Sequence, residues 1–173
     1  MLAGVAWIVS FVVSLVVVTG QSSILGLSSF YLIEGIIGLA LAGTLLGLLG
    51  LHARQTTSYG VLGTVGFLAA LIGTAFVLAD VVFVHVARRE VLDLLLEIGL
   101  VGMLVGFVLL GIATLRARGL PRWCGVTLIV VLPISAILGD YGGGLVLGLF
   151  WLALGYVLLV NRNIEPGRSR SSL

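Results

Sequence analysis

The chain has 173 residues, of which 60% are hydrophobic and only 9% charged, with a net charge of +2. Soluble domains carry about 25% charged residues, so a water-covered surface is excluded and lipid must be the solvent for most of the molecule. All nine basic residues are arginines; without a lysine there is neither a retinal Schiff base nor a phosphate-binding P-loop.

In chain order, six apolar runs stand out, against about 20 residues needed to cross the bilayer core. The first, residues 2–19, lacks a basic start and a small-x-small cleavage site, and reads as a mature helix rather than a secretory signal. Residues 21–29 are polar and small and read as a loop. The second and third helices are expected over 30–51 and 59–86, and the fourth over 91–115. The fifth is expected over 122–138, with Pro133 kinking it from inside. A glycine-rich loop at 139–144 leads to the sixth helix, 145–160. Residues 1–160 thus form one transmembrane domain and 161–173 a polar cytoplasmic tail. The expected fold class is all-α, a polytopic transmembrane bundle of about six helices.

The arginines orient it. With the N-terminus inside, Arg54, Arg116, Arg118, Arg122, Arg162, Arg168 and Arg170 are cytoplasmic, and only Arg88 and Arg89 are outside. The positive-inside rule therefore selects N-in, C-in. A multi-pass protein of the bacterial cytoplasmic membrane is expected, with the lipid bilayer as its first partner. The arginines lie between apolar runs, so they set orientation and imply no nucleic acid.

Gly is abundant, at 25 residues, and recurs at helical spacing: Gly43 with Gly47, Gly102 with Gly106, and Gly60, Gly63 and Gly66. Small residues let helix backbones approach closely in lipid. Two uses stand side by side, internal packing and a face for a homo-oligomer or a membrane-protein partner.

Two stretches follow one pattern. Glu34, Leu51-His52-Ala53-Arg54, Tyr59-Gly60 and Leu78-Ala79-Asp80 are matched by Glu97, Leu115-Arg116-Ala117-Arg118, Trp123-Cys124-Gly125 and Leu138-Gly139-Asp140. A parallel repeat would relate the hairpin of helices two and three to that of helices four and five. Either way, Glu34, Asp80, Glu97 and Asp140 fall at the outer ends of four helices.

Ionisable residues in spans are functional candidates. Glu34 and Glu97 lie in early helical turns, where the helix dipole favours a carboxylate. Asp80 lies at a helix C-terminal end, where the dipole opposes one, so it needs a cation, a donor, water or a proton. Asp140 sits in a glycine-rich turn and suits a turn or capping role. His85, Arg88 and Arg89 share a helical face and form a basic patch nearby. These seven residues are the candidate binding cluster, with an ion pair as the structural alternative. His52 and His85 fall at opposite ends of the bundle, so together they cannot ligate one haem or metal ion. Cys124 is the only cysteine, which excludes an intrachain disulfide and a multi-cysteine metal site. No catalytic constellation, metal motif or cofactor motif is present.

The run Leu115-Arg116-Ala117-Arg118-Gly119-Leu120-Pro121-Arg122-Trp123, together with Leu51-His52-Ala53-Arg54, resembles a pattern in small bacterial integral membrane proteins of unassigned activity. The resemblance covers helices two to six and rests on the Leu-Pro-Arg-Trp turn. It implies a multi-helix membrane fold and carries no functional residue with it. Three readings of function remain: a transport or ion-conducting protein using the outer acidic cluster, an accessory subunit of a larger membrane complex, and a membrane enzyme acting on a lipid or quinone. In the last, Asp80, Glu97 and His85 are the acid/base candidates.

Overall fold

The computed structural model describes the backbone of residues 1–18, 23–24, 27–55, 60–87, 93–117 and 120–162. Six helices account for nearly all of it: α1 (Leu2–Val18), α2 (Ser29–Gln55), α3 (Gly60–Ala87), α4 (Asp93–Ala117), α5 (Arg122–Leu138) and α6 (Gly143–Arg162). Ahead of α2, two short segments, β1 (Ser23–Ile24) and β2 (Leu27–Ser28), pair antiparallel, Ser23 opposite Ser28 and Ile24 opposite Leu27.

Each helix packs against its neighbours in sequence, and α6 closes the ring onto α1. α2, α3, α4 and α6 are long and apolar enough to cross a membrane. α1 and α5, with 17 residues each, span about 26 Å at 1.5 Å per residue, a little under the hydrocarbon thickness of about 30 Å. The outward faces are apolar along the bundle, with Val5, Val12, Leu46, Val61, Ile72 and Leu149 exposed. A contiguous apolar surface of this kind belongs in lipid, and the chain is a helical membrane protein.

The helix ends follow from local chemistry. Pro121, with φ −52°, stands just before α5, where a missing N–H costs nothing; its carbonyl accepts from the Cys124 N–H at 2.9 Å. At the other end Gly139 takes a positive φ of 47° and donates its N–H to the Ser135 carbonyl, a conformation open to glycine at little cost. A single 3-10 turn, Gly139–Tyr141, then reverses the chain. α6 begins at Gly143, two residues earlier than its apolar run suggests. Pro133 lies inside an otherwise continuous α5.

Glycines set how closely the helices approach. On the α3–α4 seam, Gly73 faces Gly99 and Gly102, Gly66 lies against Leu109 and Leu110, and a Cβ added at Gly106 would meet the Ala70 backbone. Gly43 of α2 lies against Ala3, Gly47 against the Trp151 ring, and Gly111 of α4 against Gly125 of α5. Gly4 and Gly148 do the same for α1 and α6. The Gly43/Gly47 and Gly102/Gly106 pairs therefore face neighbouring helices of their own chain. The tightest seam joins α3 to α4, which is the junction between the two repeat-like hairpins rather than the inside of either.

The contacts also place the termini of the helices. Met1 lies against Gly155, the Arg54 guanidinium donates to the Leu158 carbonyl, and the Thr114 hydroxyl donates to Gln55 Oε1 at 3.2 Å. The start of α1, the ends of α2, α4 and α6 and the start of α5 therefore share one end, the arginine-rich end. This half is solid: Leu48, Leu51, Phe107, Leu110, Leu128 and Leu154 are fully buried within one apolar cluster.

Candidate functional site: an apolar cavity within the ring

The opposite half is hollow. A cavity of about 480 Å³ lies between the helices, and all six contribute to its wall. That volume falls within the range of about 300–1,000 Å³ typical of small-molecule sites. α1 supplies Trp7, Ser10, Phe11 and Ser14; α2 supplies Ile33, Ile37 and Leu41; α3 supplies Val77. α4 adds Leu100, Val101, Met103 and Leu104, and the α5–α6 reversal adds Leu132, Ser135, Gly143, Gly144 and Leu147 among others.

The position of the cavity follows from packing. At the arginine-rich end, large aliphatic and aromatic side chains interdigitate: Trp151 stands edge-on to both Phe107 and Phe150, at centroid distances of 6.3 and 5.4 Å. Towards the other end, α1, α5 and α6 turn small residues inward, among them Ser10, Ser14, Ser135, Gly143 and Gly144. Small side chains on several walls leave volume that none of them fills.

One wall is braced. The Trp7 indole Nε1–H donates to Thr44 Oγ1 at 3.2 Å, and the Thr44 hydroxyl donates to the Ala40 carbonyl at 2.9 Å. This holds α1 to α2 and consumes the indole donor. Among the described residues the other polar groups of the wall are the hydroxyls of Ser10, Ser14 and Ser135, and no titratable side chain lines it.

The acidic residues expected from sequence stand elsewhere. Gly38 lies against Val81 and Leu78, and Gly99 against Val77 and Phe76, so Glu34, Asp80 and Glu97 share the end of the bundle opposite the arginine-rich end. They sit on α2, α3 and α4 outside the cavity wall. Glu97 is exposed, while Glu34 and Asp80 are half-buried. Asp80 makes no hydrogen bond or ion pair among the described residues. No group of three or more His, Cys, Asp or Glu residues that could hold a metal occurs among the described residues. Arg88 and Arg89 lie outside the described residues, as do the side chains of His85 and Asp140.

His52, at the arginine-rich end, stacks on Phe67 with centroids 3.9 Å apart and planes 10° from parallel. Beside the same helix end, Gln55 is 2% exposed and its Nε2 has no hydrogen-bond partner among the described residues.

Sequence reasoning missed Trp7, Ser10, Ser14 and Ser135. A signal existed for α1: two hydroxyls one turn apart in an otherwise apolar span put both on one face. Nothing local marks Ser135, because its partners in the wall come from other helices. Comparison with known proteins adds no constraint on the site: no family model, curated protein or solved structure matches this chain.

Proposed function

We propose that this is a small transport protein of the bacterial cytoplasmic membrane, arginine-rich end inside, that takes an uncharged, membrane-soluble molecule into the cavity between its six helices. The observation that carries this reading is the cavity itself: it is bounded by every helix, lined almost wholly by apolar side chains, and backed by a solid core towards the arginine-rich end. A concave apolar space with a few polar groups is the usual form of a small-molecule site. A cation or proton path through the outer carboxylates is less well supported, because Glu34, Asp80 and Glu97 stand off the wall. An acid/base enzyme reading lacks a titratable group on the wall among the described residues.

The test uses Trp7 as a built-in reporter. Purified protein in lipid nanodiscs, in a Trp123→Phe background to remove the exposed indole, is titrated with bromododecane, whose bromine quenches a nearby indole; Trp151, buried in the core and off the cavity wall, remains as a constant background. Saturable quenching is expected in the parent and in Asp80→Asn, and its loss in Ala136→Phe/Leu147→Phe, which fills the cavity. Linear quenching that is the same with and without the filling substitutions overturns the reading. So does an Asp80-dependent proton or cation flux in proteoliposomes.

A further inference from the structure

We infer that the molecule held in the cavity is an uncharged single-chain amphiphile, its hydroxyl end hydrogen-bonded by Ser10, Ser14 and Ser135 and its chain leaving sideways past α4. This rests on the reading of the cavity as a ligand site and specifies what that site selects.

The first observation is how hydroxyls behave elsewhere in the bundle. A helical Ser or Thr ordinarily donates to the carbonyl one turn back. Thr44, Thr64, Thr74 and Thr127 all do so, onto Ala40, Gly60, Ala70 and Trp123, at 2.7 to 3.2 Å. The three cavity serines do not. Ser135 is 7% exposed and its Oγ has no partner among the described residues. Ser10, 5% exposed, and Ser14 likewise make no hydrogen bond among the described residues. A buried hydroxyl without a partner is costly in an apolar setting, so Ser135, with the uncommitted hydroxyls of Ser10 and the half-buried Ser14 facing the same space, marks where a polar group of a ligand belongs.

The second observation is placement. Ser10 and Ser14 are one turn apart on α1, about 6 Å along its axis, and Ser135 faces the same space from α5. Donors and acceptors thus come from two sides, as a hydroxyl group, itself both donor and acceptor, requires. The nearby indole is already committed to Thr44, so the serines carry the selection.

The third observation is charge. Among the described residues no Arg, Asp, Glu or His contributes to the wall, and an ion that none of these residues pairs meets a desolvation cost. The ligand is therefore neutral.

The fourth is the way out. Leu100, Val101 and Leu104 line the cavity, yet they are 51, 62 and 40% exposed on the flank of the bundle. α4 and α5 are drawn together at Gly111 and Gly125, nearer the arginine-rich end. The other half of that seam is left as a lateral slot to lipid, through which an alkyl chain passes without meeting water.

The experiment measures how well three unlabelled chains of one length, dodecane, dodecanol and dodecanoate at alkaline pH, relieve the quenching of Trp7 by bromododecane in nanodiscs, in the Trp123→Phe background. The alcohol is expected to bind about three- to tenfold tighter than the alkane at equal mole fraction in lipid, the effect of one or two neutral hydrogen bonds. The carboxylate should bind more weakly than either. In Ser10→Ala/Ser14→Ala/Ser135→Ala, the alcohol's advantage should vanish while the alkane binds as before. Equal binding of alcohol and alkane in the parent, survival of the preference in the triple variant, or tight binding of the carboxylate overturns this inference and leaves the cavity reading intact. Absence of saturable quenching by bromododecane removes the cavity reading as well.

Discussion

Gly102 and Gly106 form one Gly-x-x-x-Gly motif on α4, and the structure separates their roles. A Cβ at position 106 would fall 2.5 Å from Ala70 Cα and 2.8 Å from the Ala69 carbonyl carbon. Ordinary carbon contacts lie at about 3.5–4.0 Å, so Gly106→Ala must push α3 and α4 apart by about 1 Å along their tightest seam. Overpacking of this kind costs about 1–3 kcal/mol. A Cβ at position 102 would sit 3.4 Å from Gly73 Cα and 3.7 Å from the Ala69 carbonyl oxygen, which is normal contact. Gly102→Ala should therefore be near neutral. Helix propensity favours Ala over Gly at both sites by a similar amount, so the difference between the two variants isolates packing. Reversible unfolding in mixed detergent–SDS micelles, followed by tryptophan fluorescence, measures it. Gly106→Ala should lower the folded-to-unfolded ratio about tenfold or more relative to Gly102→Ala, since about 1.4 kcal/mol corresponds to each factor of ten. Equal stability of the two variants, or a more stable Gly106→Ala, refutes this account of the seam.

At the arginine-rich end, Thr114→Val keeps the shape of the side chain but removes the donor to Gln55. It should cost about 1–3 kcal/mol in the same unfolding assay, because the buried amide of Gln55 then loses its bond to α4. Gly60 has a φ of +58° and open space around it, whereas Gly50 has open space without a positive φ. Gly60→Ala should therefore be destabilised by about 1 kcal/mol through backbone strain alone, with Gly50→Ala unaffected or slightly stabilised, as differential thermal unfolding in detergent would register.

The distribution of charge and apolar runs in the sequence was enough to define an all-helical membrane bundle. Lipid imposes two local conditions, apolar side chains and backbone hydrogen bonds closed within each segment, and both can be read along the chain. The extent of α5 was equally legible, since Pro121 precedes it and Gly139 follows it. The clustering of Arg54, Arg116 and Arg122 towards one end follows from alternating helix direction, which needs only a count of spans. Which glycines bear the packing was not legible: Gly102 and Gly106 are alike in sequence, and only the position of Ala70 on another helix distinguishes them. The candidate site shows the same limit. Charged residues drew attention to Glu34, Asp80 and Glu97 because a carboxylate in an apolar span is conspicuous. The cavity is instead an absence of filled volume, built where small residues of α1, α5 and α6 meet. Such a space belongs to no segment, because it depends on distances between helices, and those were fixed only when the tertiary structure closed the ring.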